Sequence, residues 1–244
     1  MLFTTSWDDG YELDLRVCDL LHKFGCTGTF YVCPKQQHGR EMLTESKMRM
    51  IAAWHEVGAH TIHHPHLTQL NPDDVRDELI NGKAWVEKIT EKPCTMFCYP
   101  YGDENQKIRE LTQQVGFHGA RGTRTLEFSA SDHFDLPVSL QIYPFPWRRK
   151  GDLYQRLTDP VPHLRQHGKR LTELHVPWHA RRGWLPLAKN LFTHALKTHQ
   201  PFFHLFGHSH ELELYDMWSD FERFLAFVVE HQSDIRSIAN SGLL

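Results

Sequence analysis

Three observations predict an α/β protein with a mainly parallel sheet and helices packed outside it. Strand-like and helix-like stretches alternate along most of the 244 residues. The helical stretches carry apolar side chains at one-face spacing, and several apolar strand runs end in acids, histidines or a Pro-Gly turn. Such a sheet closed all round would be a barrel, and periodicity leaves closure undecided.

The elements follow in order. "LFTTSW" reads as a first strand, and "ELDLRVCDLLHKF" places Leu13, Val17, Leu20, Leu21 and Phe24 on one helix face. "TGTFYV" supplies a second strand, a helix follows from about Thr44 to Glu56, and the stretch near "VGAHTI" supplies a third strand. Asn71 and Pro72 suit the start of a long helix. The alternation continues through "CTMFCYP", the helical "ENQKIRELTQQV" and "GFHGAR", then a strand in "LTELHVPW" and a helix in "WLPLAKNLFTHALKTH". A strand in "PFFHLFGH" precedes a last helix, "SDFERFLAFVVEHQ", whose Ser219 and Glu222 have capping-box spacing. Residues 129–170 carry Pro137, Pro144, Pro146, Pro160 and Pro162 and read as an irregular insertion over the mouth of a barrel.

Composition excludes several classes. With 40% hydrophobic and 23% charged residues and a net charge of −3, neither disorder nor a general attraction to nucleic acid is expected. The "PWRRK" run is too short to establish nucleic-acid or membrane binding. No apolar run is long enough to span a bilayer, and "MLFTTSWDD" lacks the basic and apolar regions of a leader, so the expected location is the cytoplasm. Five cysteines in apolar surroundings suit reduced thiols.

The chemistry sits at strand ends. Asp8 and Asp9 cannot project alike from an extended segment unless the chain turns, and Gly10 permits that turn. In "GAHTIHHPHL", His60 and His64 are four apart, which on a helical turn puts both imidazoles on one side; His63 and His66 compete with them. Asp9, His60 and His64 together would hold one divalent metal ion, leaving Asp8 as general base. "FCYPYG" places the N–H near Tyr101 where an oxyanion could develop, and "FFHLFGHSHEL" offers His208 as proton donor, with His204 and His210 as competitors.

In this combination the chain resembles the polysaccharide deacetylase, or NodB-like, family. "TSWDDG" corresponds to its aspartate-pair motif, "HTIHHPHL" to its His-Ser/Thr-x-x-His-Pro motif, "YPYG" to part of its Arg-x-Pro-Tyr motif, and "LFGH" to its late Leu-x-His motif. The resemblance implies a deformed (β/α) barrel of seven strands, a single catalytic domain over 1–244, and metal-dependent removal of an acetyl group from an acetylated sugar or small glycan. It implies Asp8 as base, Asp9, His60 and His64 as metal ligands, Tyr101 as backbone oxyanion donor and His208 as acid. Zinc is the first choice of metal, with cobalt or iron as alternatives.

Departures accompany the likeness. Cys98 stands where the family commonly has the arginine that tethers its catalytic aspartate, so Arg121 or Arg124 becomes a candidate tether. Arg121 is also a candidate substrate contact, and Trp178, in "LHVPWHARRGW" at an expected strand end, a candidate for stacking on sugar. A formamide or cyclic-amide hydrolase, or a catalytically silent carbohydrate-binding protein, are the other functional readings. The sequence leaves the oligomeric partner open, because its many aromatic residues could build either a groove or a subunit interface.

Overall fold

Residues Leu2–Asp9 form the longest strand, β1, and alternation along it assigns the two faces of the sheet. Phe3 and Trp7 face the surrounding helices: the Phe3 ring meets Phe192 and Phe224, and Trp7 meets Phe221 at 5.1 Å. Thr4, Ser6 and Asp8 point the other way, into a polar interior. There Thr4 donates to Asn240 at 2.8 Å, Ser6 bonds His204 at 2.8 Å, and Asp8 meets Arg121.

The computed structural model describes residues 1–35, 39–146 and 162–244. Beside β1 stand β2 (Gly28–Val32), β3 (Glu56–Ala59), β4 (Met96–Cys98), β5 (Gly119–Arg121), β6 (Leu140–Gln141) and β7 (Phe202–Gly207). All pair in parallel, in the order β5-β4-β3-β2-β1-β7-β6. The sheet curls until its ends approach. The Leu136 N–H donates to Ala120, and the Gly122 N–H donates to Leu136, so the segment before β6 touches β5 through a single bridge. The result is the expected deformed (β/α) barrel of seven strands. An eighth short strand, β8 (Arg236–Ser237), pairs with Leu2 and Phe3, below the point where β2 joins at Thr5.

Helices α1 (Asp14–Lys23), α2 (Glu45–Trp54), α3 (Pro72–Thr90), α4 (Gln106–Gln114), α5 (Pro162–Glu173), α6 (Trp184–Lys197), α7 (Ser209–Leu214) and α8 (Trp218–Val229) accompany the sheet. Their starts follow local chemistry. Asn71 accepts the Asp73 and Asp74 N–H groups at 3.0 Å with Pro72 in the first turn of α3, and Asn105 caps α4 through Ile108 N–H. In α8 the expected capping box does not form: the helix begins one residue earlier, at Trp218, whose buried ring sets the start.

Two further expectations change. "LTELHVPW" is not a strand: α5 runs to Glu173, and Leu174 N–H still bonds Arg170 O at 3.0 Å. Leu171 and Leu174, three apart and both buried, answer to a helical period that outweighs the local β-branched content. Within 129–170, residues 129–139 are irregular as expected, but Leu140–Gln141 joins the sheet and Pro162–Glu173 is helical. Residues 147–161, with Pro160 and most of "PWRRK", lie outside the described residues. No described helix is long and apolar enough to cross a membrane.

The last residues close the N-terminal end of the barrel. Asn240 is fully buried; its amide accepts from Thr4 and donates to Tyr31 Oη, and its backbone N–H donates to Thr29 Oγ1. Leu243 packs beside Tyr31, Met96, Cys98 and Leu136. Asn240→Ala strands the Thr4 and Tyr31 hydroxyls, so it is expected to cost about 1–3 kcal/mol in urea unfolding. Ser241→Ala, which keeps its backbone bond to Glu56, should stay within about 0.5 kcal/mol.

Candidate active site

The C-terminal ends of the strands open into a cleft of about 610 Å³, lined by Asp8, Asp9, His60, His64, Tyr101 and His208 among others. Asp8 and Asp9 reach it together because the backbone turns at the second acid. Asp9 (φ 78°) and Gly10 (φ 79°) are consecutive left-handed residues, and an added Cβ on Gly10 would stand 3.1 Å from Val32 Cγ1.

β3 stops at Ala59, and the His60 N–H donates to Val32 O at 3.0 Å. The expected helical turn is absent. Thr61 (φ 66°) and His64 (φ 51°) fold a tight loop, with Thr61 Oγ1 accepting the His64 N–H at 3.0 Å. That loop still brings the imidazoles together. His60 Nε2 and His64 Nε2 are 3.1 Å apart and lie 3.5 and 3.2 Å from Asp9 Oδ1. Donors bound to one ion at about 2.0–2.2 Å stand roughly 3.0–3.5 Å from one another, so the three fit a single divalent metal.

The surroundings prepare these donors. His60 Nδ1 donates to Cys98 O at 2.7 Å, which leaves the Nε2 lone pair for an ion. Tyr11 Oη donates to Asp9 Oδ2 at 2.7 Å. Burial opposes ionisation of Asp9, but His60 and His64 hold its carboxyl far below the usual range. Asp8, His60 and Cys98 also lie close enough to share an ion. That set fits poorly, because Asp8 is already engaged by Arg121 and burial pushes the Cys98 thiol up, keeping it protonated.

Arg121, not Arg124, is the arginine that meets Asp8, and it is not among the cleft-lining residues. It is fully buried, its Nη2 donates to both Asp8 oxygens, and its guanidinium lies 4.1 Å from the Phe206 ring centre. Cys98 and Arg121 are register partners on β4 and β5. A small residue at 98 leaves room for an arginine from the next strand, and the Cys98 thiol lies 3.5 Å from Asp8 Oδ2. Burial would raise the Asp8 pKa, but Arg121 above all lowers it, so Asp8 is ionised. Arg124 instead pairs with Asp135 at 3.0 Å and with Glu127, half exposed.

Tyr101 (φ 60°) occupies a tight turn after β4, where the Gly102 and Asp103 N–H groups bond Tyr99 and Pro100. Its ring is exposed at the rim, stacked on His66 at 4.1 Å. His208 stands at the end of β7, with Nε2 4.0 Å from Asp9 Oδ2 and Nδ1 3.6 Å from Glu211 Oε2. Burial lowers its pKa, but Glu211 and the two aspartates outweigh that and raise it, favouring imidazolium. His204 is a core residue between Ser6 and Pro137 O, with its pKa down to about 3. His63 pairs with Glu78, outside the cleft.

Trp178 is exposed in a short 3₁₀ turn, Trp178–Arg182, and is not among the cleft-lining residues. His210, the competitor to His208, also lines the cleft, with burial lowering its pKa to about 4, and Tyr11 and Glu211 line it without being singled out in the sequence. A signal existed for two: Tyr11 follows Asp9 by two positions, and Glu211 follows His208 by three, on what becomes a helix.

Asp9→Asn, His60→Ala and His64→Ala should each abolish tight binding of added zinc or cobalt in equilibrium dialysis, and Tyr11→Phe should weaken it about 10-fold. Arg121→Met should cost about 3–5 kcal/mol in urea unfolding by leaving Asp8 buried and unpaired. Adding Asp8→Asn should restore part of that loss.

Residues 2–120 match the family model described as polysaccharide deacetylase, a span that holds Asp8, Asp9, His60, His64 and Tyr101 and ends just before Arg121. Over 115 residues the chain is 32% identical to the peptidoglycan-N-acetylmuramic acid deacetylase of Bacillus subtilis, covering 46% of this chain and 43% of that protein. Over 118 residues it is 22% identical to a peptidoglycan-N-acetylglucosamine deacetylase of Bacillus cereus, covering 48% and 54%. The chain therefore spans about half the length of the curated relatives it matches. A Mycobacterium smegmatis structure assigned to the polysaccharide deacetylases shares the fold across 99% of this chain and 88% of that one, with a TM-score of 0.65 at 17% identity. Residues 2–120, which hold the aspartate pair and the histidine loop, are thus similar to the polysaccharide deacetylase family, and the arginine that meets Asp8 comes from the next strand, just past the matched span.

Proposed function

We propose that the protein is a metal-dependent hydrolase that removes an acetyl group from an N-acetylated sugar or glycan precursor, acting as a single catalytic domain in the cytoplasm. The observation that carries this is the convergence of Asp9, His60 and His64 on one point, with Asp8 and His208 in the same cleft. Asp9, His60 and His64 would hold the ion, zinc by first choice for this mixed nitrogen and oxygen set. When bound, the ion supplies Lewis-acid polarisation of the acetyl carbonyl and acidifies water.

The chain's own residues do the rest. Asp8, ionised and fixed by Arg121, accepts the proton of the attacking water. The Tyr101 N–H donates to the developing oxyanion from a turn whose shape is set before substrate arrives. His208, held as a donor by Glu211 and the nearby aspartates, protonates the leaving nitrogen, which otherwise departs as an amine anion. Arg121 supplies the guanidinium that Cys98 lacks, which favours an enzyme over a silent binding protein. The relatives named for peptidoglycan amino sugars support N-acetylhexosamine units as first substrates to test.

The untagged protein should bind about one divalent ion per chain and release acetate from oligomers of N-acetylglucosamine or N-acetylmuramic acid, measured by an enzyme-coupled acetate assay. The His60→Ala/His64→Ala pair should lose both properties. Asp8→Asn and His208→Ala should keep the metal and lose roughly 100-fold or more in turnover. Metal-free wild type that takes up no added zinc, cobalt or iron would sink the proposal.

A further inference from the structure

The loop that carries His60 and His64 is gripped from outside the cleft by one side chain. Between the left-handed Thr61 and His64, the N–H groups of Ile62 and His63 point the same way, and both donate to Glu78 Oε2 at 2.9 Å. The His63 ring adds a contact from Nδ1 to Glu78 Oε1 at 2.5 Å. Successive N–H groups in such a turn make an anion-binding concavity, and here a carboxylate of the same chain fills it.

Glu78 belongs to α3, and its side chain is 12% exposed. One turn further along, α3 lies against the loop itself: an added Cβ on Gly82 would stand 3.2 Å from Thr61 Cα and its carbonyl carbon. The loop is therefore clasped at two levels by one helix face, while Thr61 Oγ1 holds the His64 N–H from within. Burial opposes ionisation of Glu78, but the His63 and Ile62 donors outweigh it and lower its pKa, so the carboxylate is charged at neutral pH. His63, with its ring 74% exposed, serves this clamp and not the cleft.

We propose that Glu78 is a positioning residue for the metal site: by taking the Ile62 and His63 N–H groups it fixes the spacing of the His60 and His64 imidazoles and so sets metal affinity. This rests on the metal-site reading above. Two bonds to consecutive amides constrain the stretch between the two ligands directly, and no other side chain among the described residues is recorded on those amides.

The test is zinc affinity by competition with a chromophoric chelator, read beside the thermal midpoint of each metal-free protein. Glu78→Gln keeps the volume but weakens the acceptor, and should bind zinc about 10-fold more weakly with an unchanged metal-free midpoint; Glu78→Ala should lose up to about 100-fold. His63→Ala, which keeps both N–H donors, should bind zinc nearly as wild type does. Equal affinity in wild type and both Glu78 variants overturns the inference while leaving the metal site intact. A metal-free midpoint that falls in step with affinity in Glu78→Gln overturns it as well, by showing a merely structural role. A His63→Ala loss as large as that of Glu78→Ala overturns the clamp through the amides. Wild type that takes up no zinc overturns the metal site itself, and this inference with it.

Discussion

The buried pair of Asp8 and Arg121 is the constraint around which the barrel interior is organised. A fully buried guanidinium is tolerable only against a hydrogen-bonded anion, and Asp8 is that anion. The pair ties β1 to β5, which stand far apart in the sheet order, so it acts across the barrel and resists its opening. Its neighbours follow from it. Cys98 must be small where Arg121 passes, Phe206 and Tyr31 offer ring faces to the guanidinium, and the Asn240 turn closes the barrel beneath Tyr31. Arg121 also holds Asp8 at the cleft, so what secures the barrel also presents the carboxylate proposed as base.

Backbone strain is concentrated where the chemistry is proposed. Of the nine non-glycine residues with positive φ among the described residues, Asp9, Thr61, His64 and Tyr101 lie in the cleft or in the loop that forms it. Such conformations cost on the order of 1–3 kcal/mol each and persist only where the surroundings hold them. The holders are visible: Tyr11 on Asp9, Thr61 Oγ1 and Glu78 on the histidine loop, and His66 under the Tyr101 ring. A rigid parallel sheet with strained strand ends thus presents two acids, two imidazoles and a backbone donor with little left to rearrange on binding.

Most of the architecture was legible because strands and helices here have periods that survive in the sequence. β1, β2, β4, β5 and β7 lie where apolar runs end in turn residues, and α3 starts at its Asn-Pro signal. The failures share a cause. β6 is two residues long and carries no period, α5 follows a proline-rich stretch, and α8 starts on a buried Trp218 whose packing outweighs the Ser219 and Glu222 pattern. Trp178 looked like a sugar platform because an aromatic beside arginines has the right chemistry, and only its position removes it from the cleft.

Residue type and order alone determined which chemistry this chain can support. An Asp-Asp-Gly strand end and two histidines four apart specify an anion, a base and two neutral nitrogen donors, and those properties are local. Tertiary structure decided the partners. Whether Arg121 or Arg124 meets Asp8 depends on the register of β4 with β5, and whether His204 or His208 reaches the cleft depends on where β7 ends, because the two share a strand face and His204 lies deeper in the barrel beside Ser6. The role of Glu78 was likewise hidden, because its partners lie 15 and 16 residues away on another element. Hydrogen bonds and ion pairs act over a few ångströms in space, and only the folded chain brings such separations within reach.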